Sequence, residues 1–400
     1  MLNKTIIFSI VAAFYSYIFT YLGLTVSEVF APLMFIVLSI GLTTFMVLRR
    51  VSSLGTITKV PIYRWMFFYL IVVFIWVLLP NAQATQEDVR LIVLSVIFMF
   101  IISLLTSFDD DKLTVARKAI LAITILATFN NITEFFNPIA FYAIDSPYNI
   151  FGRSAGFYVN ANIAGEAIIV GLILSFSIVS NKFKTIFLIA SLLGVVASFS
   201  RTAIASWFVV VTILSYGKVI DKKNLLLILF SLVFIVSVVL PFIVNFVGNS
   251  DSGAVDNLLT RLDFFSTKKT GLDSSQLSRL AVANAALGYF ADSPLIGAGI
   301  GHTTHWEFPI STHNIYLKLM DEFGIIGIFI YPFLILSAIW RAKGETKVVA
   351  RAFAVYTFII GFTTHNSLDE YHLLIAFSIM ANLSYRSRIT FLNSPTSPQY

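Results

Sequence analysis

Cysteine is absent from the 400 residues. That excludes a disulfide framework, a thiol nucleophile and any cysteine-based metal site. Charge is scarce too. Asp, Glu, Lys and Arg together make up 12% of the chain, about half the share of a soluble domain. No Walker-type phosphate loop and no Gly-x-Ser-x-Gly elbow occurs, so nucleotide-triphosphate and serine-hydrolase chemistry of those types have no motif here. There is no tandem repeat and no inverted pair of broken helices of the kind that marks many secondary transporters.

What fills the chain instead is hydrocarbon. Apolar residues are 58%, aromatics 15%, and the mean hydropathy is +0.86. Apolar runs of roughly 17–25 residues fit membrane helices, whereas barrel strands would alternate over about ten. The expected fold is an all-α integral membrane protein, one polytopic domain over 1–400 with about twelve transmembrane helices. Spans are expected near 5–25, 29–48, 65–80, 91–107, 119–134, 162–180, 185–200, 203–217, 225–247, 323–340, 352–368 and 371–385. Lys4 before the first run could open a signal peptide. Tyr15, Tyr17 and Tyr21 and the lack of a small-residue cleavage site favour a retained helix.

The net charge of +6 is distributed as a membrane protein distributes it and does not indicate nucleic-acid binding. With the N-terminus in the cytoplasm, nineteen of the 27 basic residues fall on the cytoplasmic side, among them Arg49, Arg50, Lys59, Arg64 and Lys112. The long loop 248–314, between helices 9 and 10, then lies outside the cytoplasm, and both termini lie inside. All five histidines fall on the outer face. The tail 393–400, rich in Ser and Pro, is expected to be disordered.

The 248–314 loop is the one long polar interval. It holds Arg261, Lys268, Lys269, Arg279, His302, His305 and His313. Asp273-Ser274-Ser275-Gln276 reads as a capping box that opens a helix to about Ala291, with Leu277, Leu280, Ala281 and Leu287 on one side. Asp292-Ser293-Pro294 ends it, and Gly297, Gly299 and Gly301 make a tight segment before the histidines.

Each candidate residue admits two readings. Arg201, between two apolar runs, is either a bidentate phosphate ligand or a snorkelling anchor. Arg153, among glycines and followed by Asn160 and Asn162, is either a ligand or an ordinary loop arginine. Arg279 is a solvated helix residue unless its neighbours recruit it. His313, just before the amphipathic run Ile315–Glu322, is either a base for a sugar hydroxyl or a helix cap. Asp321 and Glu322 are outer acids that could orient His313 or balance the arginines. His302-x-x-His305 has metal-ligand spacing without an assured third ligand.

These pieces together resemble the O-antigen ligase and polymerase superfamily of bacterial envelope glycosyltransferases. The resemblance rests on Gly152-Arg153…Gly156-Phe157…Asn160-x-Asn162, Ser200-Arg201-Thr202 and Ser278-Arg279. It extends to Phe290-Ala291-Asp292-Ser293-Pro294-Leu295-Ile296-Gly297-x-Gly299 and to His313-Asn314-x-Tyr316-Leu317…Glu322-x-Gly324-Ile325-x-Gly327. It runs over about residues 150–335. One departure is Asn160-Ala161-Asn162, where the family often has Asn-Pro-Asn. The resemblance implies a metal-independent, inverting transferase of the GT-C type, without cofactor, in the bacterial inner membrane with its site facing the periplasm. The implied donor is an undecaprenyl diphosphate-linked glycan. The implied acceptor is lipid A–core for a ligase, or a second carrier-linked repeat for a polymerase, and the ligase is preferred. Arg201 and Arg279, with Arg153, would hold the diphosphate. His313 would activate the acceptor, supported by Asn160, Asn162, Asn314, Tyr316 and Glu322. A lipid-linked polysaccharide transporter without catalysis is the alternative from another class, and the scarcity of buried charge on the cytoplasmic side argues against it.

Overall fold

A computed structural model describes residues 2–29, 59–107, 110–143, 146, 148, 153–221 and 274–392. Among these every regular element is helical. Nearly all of the expected span 29–48, the span 225–247, loop residues 248–273 with Arg261, Lys268 and Lys269, and the tail 393–400 lie outside the described residues. Among the described residues four helices are long and apolar enough to cross a membrane: Gln86–Thr106, Asp110–Phe136, Ala161–Ile178 and Ile315–Ile339. A fifth span arises if the bent pair at the N-terminus counts as one. The protein is thus a helical, multi-pass membrane protein.

The chain forms two compact units, Met1–Gly41 with Val115–Thr270, and Leu42–Thr114 with Gly271–Tyr400. In the first, α1 (Leu2–Tyr15) and α2 (Ile18–Thr25) meet at a 54° bend, where an unbroken helix over 5–25 was expected. Tyr17 is left-handed at φ 58°. The break survives because its polar groups find partners, as they must in hydrocarbon. Ser16 Oγ donates to the Ala13 carbonyl at 3.0 Å and accepts from Ile18 N at 3.3 Å. Tyr158 Oη donates to the Tyr15 carbonyl at 2.8 Å, and Tyr15 Oη donates to that of Ala167 at 2.7 Å.

The centre of this unit is α6 (Ala161–Ser175), buried along almost its whole length. It packs against α7 (Asn181–Ala197) and α8 (Arg201–Tyr216). Small residues permit the approach, since helices in lipid associate by close packing and not by hydrophobic exclusion. A methyl on Gly165 would stand 2.7 Å from Ala203 Cβ. One on Gly171 would collide with Thr124 of α5 (Asp110–Phe136).

The second unit contains α3 (Pro61–Val77), α4 (Gln86–Ser107), α9 (Ser274–Asp292) and α10 (His302–His305). It continues with α11 (Ile315–Phe323), α12 (Gly327–Ile339), α13 (Gly344–Ile360) and α14 (Tyr371–Leu392). Its core is α14 laid on α4 and α12, with α13 on both α12 and α14. Buried polar side chains join these helices. Asn382 Nδ2 donates to the Ser103 carbonyl and to Thr106 Oγ1, each at 2.7 Å. Trp65 Nε1 donates to the Ile330 carbonyl at 2.7 Å. Hydropathy predicts the span before the last one to reach 368. Instead α13 stops at Ile360, because Gly361 lies against the Tyr316 ring, where a Cβ would come within 2.7 Å of Cε2, and its carbonyl accepts from Ile315 N at 2.9 Å.

Gly171→Leu tests the packing of α6. Forcing a side chain into the α5 contact should lower stability by roughly 1–3 kcal/mol, measured by denaturation of the detergent-solubilised protein. Gly344→Ala is the control: its Cβ would meet nothing within 4 Å, although its φ of +56° carries a backbone cost.

Candidate active site

The second unit builds one polar cluster from its glycines. Gly297, Gly299 and Gly301 all have positive φ, and the chain there is pressed between two other backbones. Ala298 N donates to the Asp321 carbonyl at 2.7 Å, while Gln83 N and Ala84 N both donate to the Ile300 carbonyl at 2.9 and 2.8 Å. Side chains at Gly299 and Gly301 would strike the backbone of Asn81 and Ala84. This close fit sets α10 against the start of α11. His302 Nδ1 then lies 2.6 Å from Asp321 Oδ2, and Thr303 Oγ1 donates to Glu322. His305 turns away, with Nε2 2.8 Å from Asp88 Oδ2.

The two histidines of His302-x-x-His305 therefore serve different carboxylates. Among the described residues no three His, Asp or Glu side chains gather as a metal-ion cage. Asp321 and Glu322, candidate partners for His313 or for the arginines, are held by His302 and Thr303. The hydrogen bond to Asp321 raises the His302 pKa above its ordinary value, against burial, which lowers it.

His313 stands in a separate turn. Its φ is 48°, the left-handed region that a non-glycine residue seldom occupies. Neighbouring bonds hold it there. Thr312 Oγ1 donates to the Asn314 carbonyl at 3.0 Å. Asn314 caps α11, its Oδ1 accepting from Tyr316 N and Leu317 N at 3.0 and 3.1 Å. Tyr316 Oη donates to the Phe358 carbonyl at 3.0 Å, which ties this turn to α13. The half-buried His313 ring meets His365 edge to face, centroids 5.3 Å apart. Burial lowers the His313 pKa, and the nearby Arg279 guanidinium lowers it further. His365 is pushed down to about 3 by burial, with Lys318 and His313 adding to the effect. Both rings are accordingly neutral at physiological pH. Arg279 is exposed on α9.

The first unit gathers the other two arginines around one turn. Arg201 opens α8, exposed, behind the Ser200 cap, whose Oγ accepts from Ala203 N at 3.4 Å. Arg153 reaches the same turn, its Nε donating to the Ser198 carbonyl at 3.5 Å and its Nη2 to Asn162 Oδ1 at 2.6 Å. Asn160 caps α6, Oδ1 accepting from Asn162 N at 2.8 Å. Asn160 and Asn162 thus act as a helix cap and as an anchor for Arg153.

Residues 186–331 match a family model described as O-antigen ligase. The ligase-family segment contains Arg201, Arg279, His313, Asn314, Tyr316 and Glu322, whereas Arg153, Asn160, Asn162 and His365 lie outside it. No curated protein matches the chain.

His365 was missed as a neighbour of His313. It lies 52 positions away in sequence, past three helices, and no spacing rule links them. The His302–Asp321 pair was equally illegible, because a fold contact and not a motif makes it.

The His302–Asp321 pair yields a pH prediction. A histidine whose folded pKa is raised stabilises the fold at pH below its unfolded value, about 6.5. That contribution is lost as pH rises through the folded value. The stability difference between the wild type and Asp321→Asn should therefore be larger at pH 6 than at pH 9, and the His302 ring resonances should titrate at lower pH in the variant.

Proposed function

We propose that this protein is an O-antigen ligase: it moves a glycan from an undecaprenyl diphosphate carrier to a hydroxyl of lipid A–core on the periplasmic face of the inner membrane. The observation that carries this reading is a neutral, half-buried His313 beside the Arg279 cation, inside the segment that matches the ligase family.

In this reading His313 takes the proton from the acceptor hydroxyl, which a neutral imidazole can do and an imidazolium cannot. The acceptor oxygen attacks the anomeric carbon from the face opposite the diphosphate. The anomeric carbon–oxygen bond breaks, the configuration inverts, and the electron pair leaves with the carrier diphosphate. Arg201 and Arg279 stabilise the charge that grows on the departing phosphates, as guanidinium groups bind such oxygens in pairs. Arg153, held by Asn162, joins them or positions the Ser198–Arg201 turn. The imidazolium returns its proton to water. The donor carries its own leaving group, so the reaction calls for no nucleotide site. Asn314 and Tyr316 fix the turn that holds His313, and Glu322 braces α11 through Thr303.

Purified protein given a synthetic polyprenyl diphosphate glycan, with lipid A–core or a second carrier-linked repeat as acceptor, tests this reading. Transfer to lipid A–core supports ligation, and transfer only to the second repeat assigns a polymerase instead. His313→Ala, Arg201→Ala and Arg279→Ala should each lower turnover roughly 10²–10³-fold, and Arg279→Lys should recover little of it. Turnover within about threefold of wild type in all three alanine variants would contradict the assignment.

A further inference from the structure

A cavity of about 700 Å³ opens in the second unit between α3 and α4. Its size falls within the range of about 300–1,000 Å³ typical of ligand sites. Phe67, Leu70, Val96, Ile97 and Phe100 make most of its wall, and Lys59, Tyr63 and Arg64 mark one end. The lining includes no carboxylate. The Tyr63 and Phe100 rings, both in the lining, meet edge to face at 5.4 Å.

The charges and the apolar wall are arranged along one direction. Arg64, Phe67 and Leu70 follow each other at steps of three along α3, so they share a face. Lys59 and Arg64 flank the helix start and are both exposed. The helix starts with Pro61, and its cap residue Val60 offers no side-chain acceptor to the first turn. Two cations and the positive end of a helix dipole therefore head an apolar trough. This is the opposite end of the α3–α4 hairpin from Asp88 and His305, so the groove is not part of the His313 region.

We propose that this groove binds an anionic phospholipid, its headgroup phosphate between Lys59 and Arg64 and one acyl chain along Phe67, Leu70, Val96 and Ile97. An apolar trough ending in two cations matches a molecule that joins hydrocarbon to a phosphodiester. A zwitterionic headgroup would bring an ammonium group to the same two cations, so a net negative lipid is selected.

The test uses the full chain in detergent, delipidated and titrated with phosphatidylglycerol or phosphatidylcholine of identical acyl chains, and read by native mass spectrometry. Wild type should retain phosphatidylglycerol roughly 25-fold more tightly, since each of the two basic residues near an anionic lipid contributes about fivefold. Lys59→Gln with Arg64→Gln should reduce that preference to within about twofold. Val96→Trp, which fills the trough and leaves the cations, should weaken phosphatidylglycerol binding while inorganic phosphate fails to displace the lipid from wild type. Equal retention of the two lipids by wild type would overturn the proposal. So would an unchanged preference in the double glutamine variant, unchanged binding in Val96→Trp, or displacement by inorganic phosphate alone. Unaltered melting temperatures of the variants separate lost binding from lost fold.

Discussion

An unpaired polar group in hydrocarbon costs several kcal/mol, and a charge there costs more unless it finds water or a partner. That constraint explains the most informative features of this protein. Where α1 breaks into α2, Ser16 and Tyr158 supply the missing bonds. Where α4 and α14 are buried together, Asn382 ties one to the other. Two carboxylates buried in the second unit are each held by a neighbouring side chain. Asp321 faces His302, and Glu322 accepts from Thr303. Glycine does the complementary work of close approach, admitting side chains of neighbouring helices against α6 and other backbone segments against residues 297–301.

The same economy shapes the chemistry proposed for His313. An imidazole lifted out of water and set near Arg279 is kept neutral, which is the form a base requires. Its left-handed backbone needs support, and the Thr312–Asn314 bonds with the Asn314 cap provide it. Strained, over-determined residues of this kind gather at working sites. The arginines of the first unit are organised in parallel, with Asn160 capping α6, Asn162 gripping Arg153, and Ser200 capping the helix that Arg201 opens.

Much of the fold was legible because membrane helices announce themselves by composition and length. The loop helix was read as 274–291 and is Ser274–Asp292; the residues flanking His313 were read as a helix start and Asn314 caps it. Breaks inside apolar runs were not legible. Nothing in Tyr15-Ser16-Tyr17 marks a bend, since the local Ser16 bonds are joined by one from Tyr158 to the Tyr15 carbonyl, 143 positions away in sequence. Residues that lie in motifs could be nominated from the sequence as candidates, namely Arg153, Arg201, Arg279 and His313. Contacts made by folding were not, namely His365 on His313 and Asp321 on His302. A local pattern can nominate a histidine, but only tertiary packing reveals what holds its proton.

The central claim, that His313 is a base kept neutral by burial and by Arg279, is tested most directly by the pH dependence of kcat/KM for glycan transfer, which reports the free enzyme's essential base. The account predicts an acid limb with an apparent pKa below the ordinary histidine value of about 6.5. That limb should move to higher pH in the residual activity of Arg279→Gln, where the repelling cation is gone. An acid limb at or above the ordinary value, or one that persists unchanged in His313→Ala, would contradict it.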